Sequence, residues 1–111
     1  MVPELDANRV REWAHDRTPP EYRPEMRVEV DETPRGLTIF DCRPPWSDLI
    51  GPEWLRTPIA RLGHVKKRNE WTLCWADRNS KFERYWDAAP TPHVAELLDE
   101  LDTDPTCIFW G

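Results

Sequence analysis

Apolar and polar positions alternate most cleanly between Glu25 and Glu32, where Met26, Val28 and Val30 fall on one side and Arg27, Glu29 and Asp31 on the other. A period of two predicts a half-buried antiparallel strand. Thr33-Pro34-Arg35-Gly36 is a turn, and Leu37 to Cys42 makes the returning strand. Leu37 and Ile39 share one face of it while Phe40 and Cys42 share the other, so it is either covered on both sides or carries a bulge. Residues 57 to 86 read as a three-stranded meander of Ile59 to Val65, Glu70 to Ala76 and Lys81 to Trp86. Its turns are Lys66-Lys67-Arg68-Asn69 and Asp77-Arg78-Asn79-Ser80. In the first of these strands Ala60, Leu62 and His64 share a face. The middle strand puts Trp71, Leu73 and Trp75 on one face and Thr72, Cys74 and Ala76 on the other. That contrast predicts a central strand whose small face meets a close-packed layer.

Two segments change to a helical period. Leu5 to His15 carries Ala7, Val10 and Ala14 on one stripe with Trp13 beside it, and Thr18-Pro19-Pro20 ends it. Thr91-Pro92 provides a hydroxyl cap and a proline at the first helical position, followed by Val94, Leu97, Leu98 and Leu101. Between strands, Pro44-Pro45 opens an irregular, strongly apolar stretch from Trp46 to Leu55. The apolar end Cys107-Ile108-Phe109-Trp110 is expected to dock as an added strand or a plug. The architecture predicted is a single α+β domain over residues 1–111. It has an antiparallel sheet of about five strands, a hairpin plus a meander, with both helices on one face. Its core is Trp71, Leu73 and Trp75 with Val28, Val30, Leu97, Leu98 and Leu101.

Composition threatens this picture and then rescues it. Leu, Ile, Val and Phe make only 22 of 111 residues, close to the range where charged chains fail to fold. Seven tryptophans supply the missing apolar area, at roughly 150–250 Å² each. No apolar run approaches the roughly 20 residues of a membrane helix, and the N-terminus lacks a signal peptide's pattern, so a soluble cytoplasmic protein with no membrane partner is expected. Cys42, Cys74 and Cys107 stand far apart with no CxxC pair. Neither a disulfide framework nor a metal site is expected, and no cofactor motif is present.

Net charge is −6, which disfavours nonspecific attraction to nucleic acid, yet the charge is uneven. Residues 61–86 hold seven basic and three acidic groups, whereas residues 87–111 hold six acidic and no basic ones. The simpler account is internal complementarity between a basic hairpin edge and the acidic C-terminal helix. The other is an anion site.

The hairpin WTLCWADRNSKFERYWD at Trp71 to Asp87, RPPW at Arg43 to Trp46, PIARLGHV at Pro58 to Val65 and the closing DPTCIFWG together resemble a family of small bacterial proteins grouped as domain of unknown function 3024. The likeness spans roughly residues 25 to 111. It implies a compact intracellular bacterial protein and carries no catalytic residue, cofactor or ligand with it.

Candidate chemistry is sparse. Glycines stand singly, and neither HExxH nor GxSxG occurs. His64 with Tyr85, beside Arg61 and Arg78, is the candidate for acid–base work on a phosphodiester, although a lone strand histidine is commonly structural. Arg61, His64, Trp71, Trp75, Arg78 and Trp86 are alternatively an aromatic and cationic platform for single-stranded nucleic acid or an aromatic-caged ligand. Trp46, Leu49, Ile50 and Trp54 form a candidate partner-contact loop, or a flap closing the core. The leading expectation is a non-catalytic binding or interaction module that contacts a protein partner or its own copy through this loop or an exposed sheet edge. The nucleic-acid and phosphodiesterase readings are the alternatives.

Overall fold

A computed structural model describes residues 2–22, 24–45 and 53–110. Helix α1 spans Glu4–Asp16 and buries Ala7, Val10 and Ala14, the stripe its spacing sets out. After a turn of 3-10 helix at Pro20–Tyr22 come β1 (Arg27–Thr33), β2 (Gly36–Arg43), β3 (Leu55–Val65), β4 (Glu70–Ala76) and β5 (Phe82–Arg84), then α2 (Val94–Thr103). The five strands form one antiparallel sheet in chain order, so the expected hairpin and meander are a single continuous meander. The first strand starts two residues later than its alternation, because Glu25 and Met26 donate their amides to the Tyr22 carbonyl. The third starts at Leu55 rather than Ile59. The last is shorter than Lys81 to Trp86, although the Tyr85 amide still donates to the Leu73 carbonyl.

The two-sided apolarity of β2 has its cause in a bulge. Ile39 pairs with Ala60 but Phe40 pairs with Pro58, leaving Ile59 as the extra residue on β3. Register then assigns every face. Val28, Val30, Leu37, Ile39, Ala60, Leu62, Trp71 and Leu73 lie on one side and join α1, α2, Tyr85 and Phe109 in the core. Both helices therefore pack on this face, as the α+β pattern requires. Val30 and Trp75 are half-buried at its margin rather than deep within it.

No described helix covers the other face, which carries Arg27, Glu29, Asp31, Thr38, Phe40, Cys42, Arg56, Arg61, Thr72, Cys74 and Arg84. Among the described residues the small face of β4 thus meets no close-packed layer; Thr72, Cys74 and Ala76 are half-buried there. Gly36 pairs with Gly63 there because a Cβ on Gly36 would overlap the Leu62 carbonyl oxygen.

Helix α2 starts later than its hydroxyl signal. His93 is the cap residue and provides no side-chain bond, while Thr91 Oγ1 accepts the His93 amide at 3.1 Å and the Thr91 backbone bridges to Trp71. Thr91 serves the sheet, extending cover along the outer edge of β4. The C-terminus docks as a plug. Asp104, left-handed at φ 41°, turns the chain and accepts the amides of Phe109 and Trp110, and the Trp110 indole donates to the Leu101 carbonyl at 2.7 Å. Arg17 completes that corner, stacked over Trp110 at 4.3 Å and paired with Asp102. The ion-pair partner of the acidic helix is therefore the end of α1, and among the described residues no ion pair joins it to the basic meander. The expected complementarity between those two segments is not made by direct ion pairs among the described residues.

Candidate functional site

Among the described residues, strand β1 lies at the edge of the sheet, bonded to β2 on one side only. In an antiparallel pair, successive residues aim their backbone groups alternately at the neighbour and away from it. The Val28 amide donates to Thr18 Oγ1 at 3.1 Å, which identifies Val28 as outward-facing. Val30 and Glu32 share its phase. Their N–H and C=O groups face away from β2 and meet no backbone partner among the described residues.

Alongside this edge runs a cavity of about 400 Å³, lined by Arg11, Ala14, His15 and Thr18 from α1 and its exit and by Arg27, Val28, Glu29 and Val30 from β1. The ends of the groove are defined by polar contacts. Thr18 satisfies the Val28 amide at one end, and at the other the Arg11 guanidinium donates to Glu32 Oε1 at 2.8 Å. Between them the wall is apolar, formed by Ala14, Val28 and Val30, with His15 and Arg27 at the rim. Arg27 is itself braced over the Trp54 ring at 4.0 Å. This is an open strand edge with a side-chain pocket beside it, roofed by a helix. Such a surface can add an extended segment as a sixth strand.

The residues singled out from the sequence scatter. His64 sits on the helix-covered face beside Trp71, with ring centroids 4.9 Å apart, and its Nε2 lies 3.2 Å from Asn69 Oδ1. Tyr85 is 1% exposed and donates its hydroxyl to Glu100 at 2.9 Å. Burial, first of all, pushes that phenol above its ordinary value. The proposed acid–base pair thus engages separate structural partners, and the tyrosine stays protonated against a carboxylate.

Trp71 is wholly buried, its indole donating to Asp6 Oδ2 at 2.9 Å, so it offers no ring face to a ligand. Trp75 is half-buried and edge-on to Trp86, which is 66% exposed. Arg61 lies on the opposite face of the sheet, and Arg78 is exposed on the β4–β5 turn. The aromatic and cationic platform is therefore not assembled as one surface. Of the partner-contact loop, Trp46, Leu49 and Ile50 lie outside the described residues. Trp54 is half-buried beneath Arg27, close to the groove.

Sequence reasoning missed Arg11, Ala14, His15 and Thr18 as a site. Alternation located β1, but the edge position depends on strand order, which alternation does not encode. Among the described residues no group of three His, Cys, Asp or Glu is placed to hold a metal, and no helix is long and apolar enough to cross a membrane.

No curated protein and no solved structure matches the chain. A family model does, over residues 2–111, so its reach includes the α1–β1 groove that the sequence motifs alone did not cover. The chain belongs to the family described as domain of unknown function DUF3024.

Proposed function

We propose that this protein is a non-catalytic interaction module that captures an extended segment of a partner protein by strand addition at β1. The outward backbone groups of Val30, next to the groove, carry this reading. An added strand would bond to Val30 and Glu32, and side chains on alternate positions of it would enter the space under Ala14 and His15. Affinity would come from the main chain and selectivity from the pocket. The absence of a recognised catalytic motif in the sequence and the separate engagement of His64 and Tyr85 favour binding over turnover.

The test uses a displayed library of random ten-residue peptides selected on the wild-type protein. Val30→Pro removes an amide that points away from the sheet, a position where an edge strand tolerates proline. Peptides should be recovered, and Val30→Pro should weaken them at least tenfold while leaving the fold intact by circular dichroism. His15→Trp, which plugs the groove from its exposed rim, should change which peptides are recovered. Equal binding to the proline variant would refute strand addition.

A further inference from the structure

We infer a second binding surface, on the open face of the sheet, for the phosphate backbone of single-stranded nucleic acid. It is independent of the β1 groove and lies at the other side of the molecule's sheet. Register aligns Arg61 on β3, Cys74 on β4 and Arg84 on β5 in one row across this face. The two arginines stand two strand spacings apart, roughly 10 Å. Both bear on the Cys74 thiol electrostatically, and neither bonds to an acid among the described residues.

The next row toward the turns is Gly36, Gly63 and Thr72, and Thr38 adjoins Arg61. These short side chains leave a flat floor between long cations. The β3–β4 turn brings Lys66, Lys67 and Arg68 to the same end, all exposed. The β1–β2 turn arrives there as well, fixed by the bond from the His64 amide to the Arg35 carbonyl at 2.8 Å. Six cations thus converge on one end of a face, against Glu70 on β4 and Asp31 on β1, which Arg56 already holds, in a chain whose net charge is −6.

The row continues outward through Thr38 to Asp31 on β1, and that acid and the charges beyond it are already spent on each other. Arg56 pairs with Glu29 and Asp31 and stacks over Phe40 at 4.1 Å. Arg61 and Arg84 without an acidic partner among the described residues, while Arg56 is engaged toward the β1 edge, mark a site complementary to a polyanion. A flexible single strand suits a flat floor better than a rigid duplex, which would touch it at few phosphates. Phe82, half-buried one step beyond Arg84 on this face, gives a base a ring to stack on. The platform expected from the tryptophans is replaced here by arginines and a phenylalanine on the opposite face.

The experiment measures anisotropy of fluorescein-labelled oligo-dT and oligo-rU twelve-mers from 50 to 200 mM salt. Four phosphate contacts predict a log–log slope of about −2.8, a loss of roughly 50-fold over that range. Arg61→Gln with Arg84→Gln should halve the slope to about −1.4 and weaken binding at 50 mM salt at least tenfold. Lys66→Gln with Lys67→Gln, on an exposed turn, tests the same surface should the first pair fail to fold. Val30→Pro should bind the oligonucleotides unchanged, separating this site from the β1 groove. No binding at 50 mM salt, or a slope unmoved by both pairs, overturns the proposal. So does tighter capture by phosphatidylserine vesicles than by either oligonucleotide, since the patch would then face a lipid surface.

Discussion

Substituting Trp71 with phenylalanine tests how the helical layer is fastened to the sheet. The indole is completely buried, and its N–H reaches across the layer interface to Asp6 Oδ2 at 2.9 Å, joining β4 to the first turn of α1. Phenylalanine keeps most of the apolar contact but removes the donor and leaves a void where the five-membered ring sat. A hydrogen bond to a charged acceptor contributes about 1.5–3 kcal/mol. Incomplete collapse of the void adds about 1 kcal/mol, so the total loss is about 2.5–4 kcal/mol. For a domain of this size each kcal/mol lowers the melting temperature by about 4–8 °C. Urea unfolding of Trp71→Phe, Asp6→Ala and the double variant forms a cycle whose coupling energy should be about 1–2 kcal/mol, because half-buried Asp6 recovers some hydration when its partner is lost. Coupling under about 0.3 kcal/mol would refute the claim that this bond ties the layers together, whatever the single variants cost.

Other predictions are independent of that bond. Gly36→Ala should destabilise by more than about 2 kcal/mol, since its Cβ meets the Leu62 backbone and β2 must separate from β3; calorimetry would show it. Burial raises the thiols of Cys42 and Cys74 above 9.0 and the Tyr85 phenol above 10.0, so the folded state holds these protons longer than the unfolded chain does. Their contribution to stability is accordingly complete below about pH 9 and is lost as pH rises through the raised folded values. Tyr85→Phe should remove the part of that decline above pH 10, as read from unfolding midpoints across pH. Alkylation of the native protein should modify exposed Cys107 first and buried Cys42 only on unfolding, a sequence that mass spectrometry resolves. Arg17→Ala should cost about 1–2 kcal/mol, because it frees Trp110 and leaves Asp102 with only the Trp13 indole bond.

Most strands and both helices were legible because their apolar periods report burial directly. Even the bulge was foreshadowed by Phe40 and Cys42 facing away from Leu37 and Ile39, and pairing locates the extra residue at Ile59. What periodicity does not contain is which neighbours a strand has. The β4 alternation of large and small residues fits equally well with a covered or an open small face, and the structure leaves it open. The same gap hid the edge at β1. Charge sums suffered similarly: the acidic run at 96–102 invited a basic partner from the meander, yet Asp102 pairs with Arg17 across 85 residues. The spacing of Trp13 and Arg17, one helical turn apart, was the single local sign of that corner. Thr91 misled for a different reason, as the hydroxyl that favours a helix cap equally supports the turn after a bridge to Trp71.

Amide exchange at β1 tests the open edge most directly. In the free protein, Val30 and Glu32 should exchange near their unprotected rates while Glu29 and Asp31, bonded to β2, and Val28, bonded to Thr18, exchange slowly. A selected peptide should then slow Val30 and Glu32 at least tenfold without changing the other three. If Val30 and Glu32 were already as protected as Glu29 in the free monomer, the edge would be occupied within the chain, and strand addition at β1 would be contradicted.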